Sequence, residues 1–461
     1  DGDCRCADHL HHLARGPHRA QKDREQLGVA GLFAEGFTAA PLWLEGLAPV
    51  EGLTDQPPAE ADAVVIGSGY TGLNAALVLA RAGRQVVILE AGDPGQGCST
   101  RNGGQVDTEV TEDTPGLIRR LGPARAEAVM AEGPASVDFL ESLIAREGIA
   151  CDFARVGSFY AAHTPRAFET QRLKAKDDPE ARVIPPEQQR GELGTDAYFG
   201  GIVHAQNASL QPAAYHRGLL RACLKAGVTL VPHCPATGIT GGPGAFQVRS
   251  PKGAIKTRDV AVATNGYTGP ATPWLRRRVV PIGSYIIATE PQDPALIARL
   301  FPTNRIVTDT CKVIYYYRAS PDGRRVVFGG RVSAGELSPE RAAPRLHADM
   351  VRIFPELAEA RISHAWSGTV AFSFDALPHT GVEAGIHYAM AYCGSGVAMS
   401  SYLGMRMGQK ILGLAEGQTA FDGLPFPTRP FYSGRPWFLP TVVAWYRWRD
   451  GLARDAAARV R

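Results

Sequence analysis

Apolar residues along the 461-residue chain fall into short blocks with two different periods. Residues 61–66 form an apolar run broken only by Asp62 and stopped at Gly67, which predicts a strand buried on both faces of a parallel sheet. From 70 to 82, Leu73, Leu77, Leu79 and Ala80 recur at helical spacing, and Gly83 is the stop. Gln85 to Leu89 reads as a second buried strand. Strand, glycine-rich turn, helix and strand thus follow within about 30 residues, the order of a βαβ unit. Residues 115–148 read as helical, and 212–226 as an amphipathic helix opened by Pro212 and closed by Gly227, ahead of a strand at 228–231. Residues 236–262 predict a β-meander with tight Gly/Pro turns, and 281–290 and 312–332 predict strands. Two helical stretches lie between these strands and residue 360. A strand at 388–392 and a helix at 397–412 follow, joined by the turn Gly394-Ser395-Gly396. Residues 27–60, rich in Gly, Pro and Ala, read as irregular structure that Pro57-Pro58 delivers into the first strand.

Composition adds exclusions. At ~150 residues per domain the length predicts two or three domains. Hydrophobic residues are 44% and charged residues 21%, which excludes a mainly disordered chain. Lys+Arg 49 against Asp+Glu 46 leaves +3, too even a balance to point to nucleic acid. No apolar run approaches the ~18 residues of a membrane span, so no integral membrane association is expected. Eight cysteines are scattered without a CxxC pair, and no signal peptide is visible; reduced thiols and a cytoplasmic location are expected. Cys4, Cys6, His9, His11, His12 and His18 make an N-terminal metal tract conceivable, but a loosely ordered terminus is the simpler reading, and no metal site is assigned.

Gly67-Ser68-Gly69-Tyr70-Thr71-Gly72 matches GxGxxG between the first strand and its helix, and Glu90 ends the next strand 18 residues after Gly72. Gly67 permits the sharp turn, Gly69 lets a pyrophosphate approach the backbone, and Gly72 lets the helix pack closely on the sheet. The helix N-terminus offers N–H groups and a positive dipole end to a diphosphate. A carboxylate at Glu90 suits a ribose 2′-hydroxyl and disfavours a 2′-phosphate, so NADP fits poorly. The pattern alone does not separate FAD from NAD.

The stretch 62–106, "DAVVIGSGYTGLNAALVLARAGRQVVILEAGDPGQGCSTRNGGQV", resembles the FAD-binding opening of the D-amino-acid oxidase-like flavoproteins, which include sarcosine and glycine oxidases. Ser99-Thr100-Arg101-Asn102-Gly103-Gly104 is most similar to the γ-glutamylputrescine oxidase branch. The likeness recurs in order at 260–268, 315–331, 366–381 and 388–404. The fold class so implied is α/β, α+β overall: a Rossmann-like FAD-binding domain with a discontinuous second domain on an antiparallel or mixed sheet. The implied division is an N-terminal extension (1–60), an FAD-binding domain (61–110, 201–280, 365–425), a substrate domain (111–200, 281–364) and a C-terminal tail (426–461). The resemblance brings Glu90, Ala91 and the 99–104 segment to the cofactor, Ala236 to adenine, and Thr264, Asn265 and Gly266 to the second flavin-side turn. It places Gly394, Ser395, Gly396 and Val397 at the flavin pyrimidine edge, with Ser395 where many relatives have His. Gly368 stands where sarcosine oxidases attach flavin through cysteine, and no histidine lies around 98–104, so the FAD is expected to be non-covalent.

The implied reaction is oxidation of the C–N bond of a small amine or amino acid, γ-glutamylputrescine-like or N-substituted. A hydride passes to flavin N5, and molecular oxygen is the acceptor, giving hydrogen peroxide and an imine or aldehyde. Tyr316 and Trp366 are candidates for an aromatic wall, His379 for a place near the ring, and Lys312 for the oxygen step. Arg318 and Arg331 are candidates for holding a carboxylate. A homo-oligomer is left open. The alternatives are a dehydrogenase passing electrons to a carrier or quinone, for which the aromatic, basic tail 445–461 would suit a membrane-surface contact; a non-catalytic FAD-binding module; and an NAD dehydrogenase.

Overall fold

The structure, a computed structural model, describes residues 30–110, 114–331 and 337–458. The Cys/His-rich start therefore lies outside the described residues. In chain order the elements are β1 (Phe33–Thr38), β2 (Glu60–Ile66), α1 (Tyr70–Arg81), β3 (Val86–Leu89), β4 (Gln105–Val106), α2 (Thr114–Leu121), α3 (Pro123–Glu147), β5 (Ser158–Ala161), α4 (Pro165–Lys174), β6 (Ala181–Ile184), β7 (Gly201–His204), β8 (Ala208–Ser209), α5 (Pro212–Lys225) and β9 (Thr229–Val231). They continue with β10 (Gly238–Gly242), β11 (Ala245–Ser250), β12 (Gly253–Val262), α6 (Pro273–Arg276), β13 (Val280–Thr289), α7 (Pro294–Leu300), β14 (Ile306–Asp309), β15 (Tyr315–Ala319), β16 (Val326–Gly330), α8 (Pro339–Ile353), β17 (Ile362–Phe372), β18 (His379–Glu383), β19 (Ile386–Met390), α9 (Gly396–Ile411) and α10 (Leu439–Ala458).

The first sheet runs β10-β11-β12-β2-β3-β9, with β19 also on β12 and β18 on β19. β2, β3, β9 and β12 are parallel, and Val64 pairs with Val87 and Val260. Alternation along β2 sends Ala63 and Val65 into one hydrophobic cluster with α1, α5 and α9, and Val64 and Ile66 into another beneath the meander. Both faces are thus buried, as the unbroken apolar run requires. Helix α9 lies against α1 at short range. A Cβ on Gly404 would sit 2.3 Å from the Thr71 carbonyl oxygen, and one on Gly408 2.9 Å from that of Ala75.

The second sheet is mixed and runs β1-β17-β13-β16-β15-β14-β5-β7-β6. One face packs on α7 and α8 through Tyr285, Tyr315, Tyr317, Phe328, Leu346 and Met350. The other face meets the first unit. β7 and the whole of β17 belong to this sheet, so the chain leaves it after residue 204 and again after residue 372. Residues 30–60 are also more ordered than their composition predicts. β1 pairs in parallel with β17, and Trp43 is fully buried. Tertiary pairing overrides the weak local signal there.

Candidate functional site

The βαβ turn is built as its glycines dictate. Gly67 has φ +103°, and a Cβ on Gly72 would lie 1.9 Å from the Gly67 carbonyl oxygen. Gly69, the residue before α1, would place a Cβ near only the Ser99 hydroxyl, at 3.0 Å, so its outer side is open. Glu90 is organised by the same turn: its carboxylate accepts the Ser68 N–H (2.9 Å), the Ser68 hydroxyl (2.6 Å) and the Gly92 N–H (3.1 Å). Ala91 follows it, exposed. Behind the turn, buried His216 of α5 donates Nε2–H to the Ser68 carbonyl at 2.7 Å, which fixes its tautomer. Burial pushes this imidazole down to about 4, so it is neutral at pH 7.

The 99–104 segment is clamped on several sides. Ser99 Oγ accepts the Tyr70 N–H (3.1 Å), while the Thr100 hydroxyl turns inward to the Gly95 carbonyl (2.6 Å). Arg101 donates from Nε to the Gln96 carbonyl and from a terminal nitrogen to that of Ser367. It is not a surface ion pair, and burial lowers its guanidinium. Asn102 caps its own loop, accepting the Gly104 N–H and donating to the Cys98 carbonyl. Two buried indoles take the outward carbonyls: Trp366 donates to Arg101 and Trp43 to Asn102, each at 2.8 Å, with the rings T-shaped at 6.0 Å. Gly104 has φ +69° against Leu210 and Arg318.

The facing side of the second sheet presents one row across five pairings: Tyr160, Thr308, Tyr316, Gly329, Ile286 and Trp366. Because side chains alternate, Tyr316 points here while Tyr315 and Tyr317 point into the opposite core. The Tyr316 ring lies over Gly329, where a Cβ would meet it at 2.2 Å, and its hydroxyl bonds Ser284 Oγ at 2.8 Å. Its edge reaches Gly103, whose Cβ would sit 3.2 Å away. The structure therefore brings Tyr316, Trp366 and the 99–104 segment together.

Two further turns close the site. Thr264 bonds Thr268 through their hydroxyls, Gly266 packs on Thr369, and the Asn265 side chain accepts the Ala391 N–H at 2.9 Å. The turn before α9 carries left-handed backbone at Ala391, Cys393 and Gly394, a strained run of the kind concentrated at functional sites. Ser395 precedes α9 without a side-chain cap, Gly396 begins it, and Val397 is buried beneath. Ala236 is half-buried beside the meander.

Other candidates lie elsewhere. His379 is buried, bonded through Nε2 to Asp375 at 2.9 Å and stacked on Phe426, so that nitrogen is satisfied within the protein, and it is not part of the Tyr316 row. Lys312 is exposed, and its backbone N–H is tied to Asp450 of α10; it is not brought to the Tyr316 row. Arg318 is buried and spends its guanidinium on the carbonyls of Gly104, Leu210 and Ala319, so it positions backbone rather than a carboxylate ligand. Arg331 is half-buried beside Tyr316. Helix α10 docks through Val443 and through Asp450, which accepts the N–H groups of Lys312 and Val313. Sequence reasoning missed Trp43 and His216. His216 had a signal, a polar residue in register with Ala213, Leu220 and Cys223 on the apolar face of α5.

Among known families, residues 62–410 match that of the FAD dependent oxidoreductases (DAO). The chain belongs to this family. It is 30% identical over 385 residues to the "Probable oxidoreductase OrdL" of Haemophilus influenzae, covering 81% of this chain and 88% of the relative. It is also 30% identical over 403 residues to the gamma-glutamylputrescine oxidoreductase of Escherichia coli, covering 85% and 93%. The glycine oxidase structure from Geobacillus kaustophilus is similar with a TM-score of 0.66 at 18% identity, covering 81% of this chain and 99% of that one, which establishes the fold. No helix among the described residues is long and apolar enough to cross a membrane.

The residues of this FAD-dependent oxidoreductase fit the cofactor its family implies. Gly69 is open outward, the Glu90 carboxylate stands at the end of β3, and a Cβ on Gly394 would meet nothing within 4 Å. The turn at 67–72 with Ser99 would hold a diphosphate and Glu90 a ribose hydroxyl. The N-terminus of α9 would favour negative charge on a bound ring.

Proposed function

We propose that the protein oxidises the C–N bond of a small amine, γ-glutamylputrescine-like or N-substituted, with oxygen as acceptor and hydrogen peroxide as product. The observation that carries the substrate class is the likeness to gamma-glutamylputrescine oxidoreductase, sustained over 85% of this chain. FAD, when bound without a covalent link, supplies a two-electron acceptor for the hydrogen on the carbon beside nitrogen. The chain's own part is positioning and exclusion of water. Tyr316, fixed by Ser284 and Gly329, is the partly exposed aromatic floor beside the 99–104 loop, backed by the fully buried Trp366, which the Arg101 carbonyl fixes. Such a floor aligns a C–H and lowers the entropic cost of reaction. Burial raises the Tyr316 phenol well above its ordinary range, so it stays a neutral hydrogen-bonding group and not a base.

The test is oxygen uptake by the FAD-loaded protein with γ-glutamylputrescine. Uptake matched by an equal amount of peroxide supports the reading. Reduction of an added dye without oxygen uptake would replace it with a dehydrogenase, and D-amino acids acting better than the amine would replace the substrate class.

A further inference from the structure

The chain continues past the residues that match the family, which end at 410, into the 20-residue helix α10. Its inner side is fastened to the second sheet. Leu439 and Val443 pack with Val280 and Ile282 of β13, the Asp450 carboxylate accepts the N–H groups of Lys312 and Val313, and Arg447 donates to the Arg331 carbonyl at 2.7 Å. The outer side faces solvent. Trp445, Trp448 and Leu452 recur there at helical spacing with exposures of 52%, 56% and 50%, and the two indoles touch at 5.1 Å. Trp437, 72% exposed, stands just ahead of the helix. A fixed row of large apolar side chains in water marks an interaction surface. Its charge is one-sided. Residues 426–458 carry Arg429, Arg435, Arg447, Arg449 and Arg454 against Asp450 and Asp455, and Asp450 is spent inward. Exposed Lys312 adds a cation beside the helix. The charged residues within α10 let it lie on a bilayer but not cross one.

We propose that the outer face of α10 docks the protein on an anionic phospholipid surface. The indoles and Leu452 enter the boundary between headgroups and acyl chains, which suits an indole because its body is apolar and its one N–H needs a polar partner. The arginines meet the lipid phosphates through charge-assisted hydrogen bonds. The excess of cations favours this occupant over a second copy of the chain, whose matching face would carry the same positive charge. The inner anchors already hold the helix, so docking does not have to order it. The inference goes beyond the amine-oxidising reading and does not depend on it.

The test is flotation of the FAD-loaded protein with vesicles of phosphatidylcholine alone and of phosphatidylcholine containing about 30% phosphatidylglycerol. The expected result is binding to the anionic vesicles at least about tenfold tighter than to the neutral ones, weakening as salt rises from about 0.1 M to about 0.5 M. Trp445→Ser combined with Trp448→Ser should lower binding to anionic vesicles roughly tenfold. Arg435→Gln combined with Arg449→Gln should erase most of the preference for anionic lipid. All four side chains are exposed, so both variants should keep the wild-type melting temperature and flavin spectrum. Vesicles with brominated acyl chains should quench tryptophan fluorescence in the wild type and much less in the double Trp variant. No binding to anionic vesicles, or binding untouched in the double Trp variant, would overturn the inference. So would a concentration-dependent dimer in sedimentation that the Trp variant loses, which would assign the face to a second copy of the chain.

Discussion

At the scale of single residues, the turn glycines and His216 make separable claims. Gly69 is open outward, whereas Gly72 faces protein backbone. Gly69→Ala should therefore leave the melting temperature within a few degrees but weaken FAD binding more than about tenfold, measured by fluorescence titration. Gly72→Ala should destabilise the fold itself by about 3 kcal/mol, measured by urea unfolding. His216 titrates near 4 in the folded chain against 6.5 when free. Between those values the unfolded chain holds a proton that the folded chain lacks, so stability falls as pH drops from about 6.5 to about 4, by roughly 3 kcal/mol in full. His347, His364 and His387, each at least partly buried, are lowered for the same reason, so the contribution is read as a difference. His216→Gln should lose less stability than wild type between pH 7 and pH 5. The glycines were legible because GxGxxG sits between strand and helix. The buried position of His216 shows in the period of α5, but its partner does not, because that is a carbonyl 148 positions away to which no local pattern points.

At the scale of elements, the 99–104 loop is held by donors from two distant segments. Trp43→Phe and Trp366→Phe each remove one indole N–H and leave the carbonyl of Asn102 or Arg101 unpaired. Each should cost about 1–3 kcal/mol in urea unfolding, and each should also loosen the loop, seen as faster amide exchange at 101–104. Lys312→Met should leave the rate of amine oxidation within a factor of two, because that side chain stands in solvent outside the Tyr316 row. The strands and helices that carry the cofactor turns follow from hydrophobic period alone. The placement of Lys312 and His379 did not, because residue type says what a side chain can do and not which face of which sheet it occupies. β1 escaped notice because its six residues, Phe-Ala-Glu-Gly-Phe-Thr, carry a Gly and little alternation, and its pairing partner β17 lies more than 300 residues away.

At the scale of the whole molecule, two sheets exchange chain segments so that a Rossmann-like unit and a mixed sheet face one another across the 99–104 loop. The motifs announced the first unit directly. The second unit's facing row could be assembled only from strand register, since its members come from six separate strands. The functional claim depends on that facing arrangement bringing an amine to the bound cofactor. Its most direct measurement is the visible spectrum of the FAD-loaded protein under anaerobic addition of γ-glutamylputrescine, with sarcosine, glycine and D-amino acids as comparisons. The account predicts loss of the flavin band near 450 nm, on the order of complete at saturating amine, with little change from D-amino acids. A protein that binds no FAD, or whose band is untouched by every amine and bleached only by D-amino acids, would contradict it.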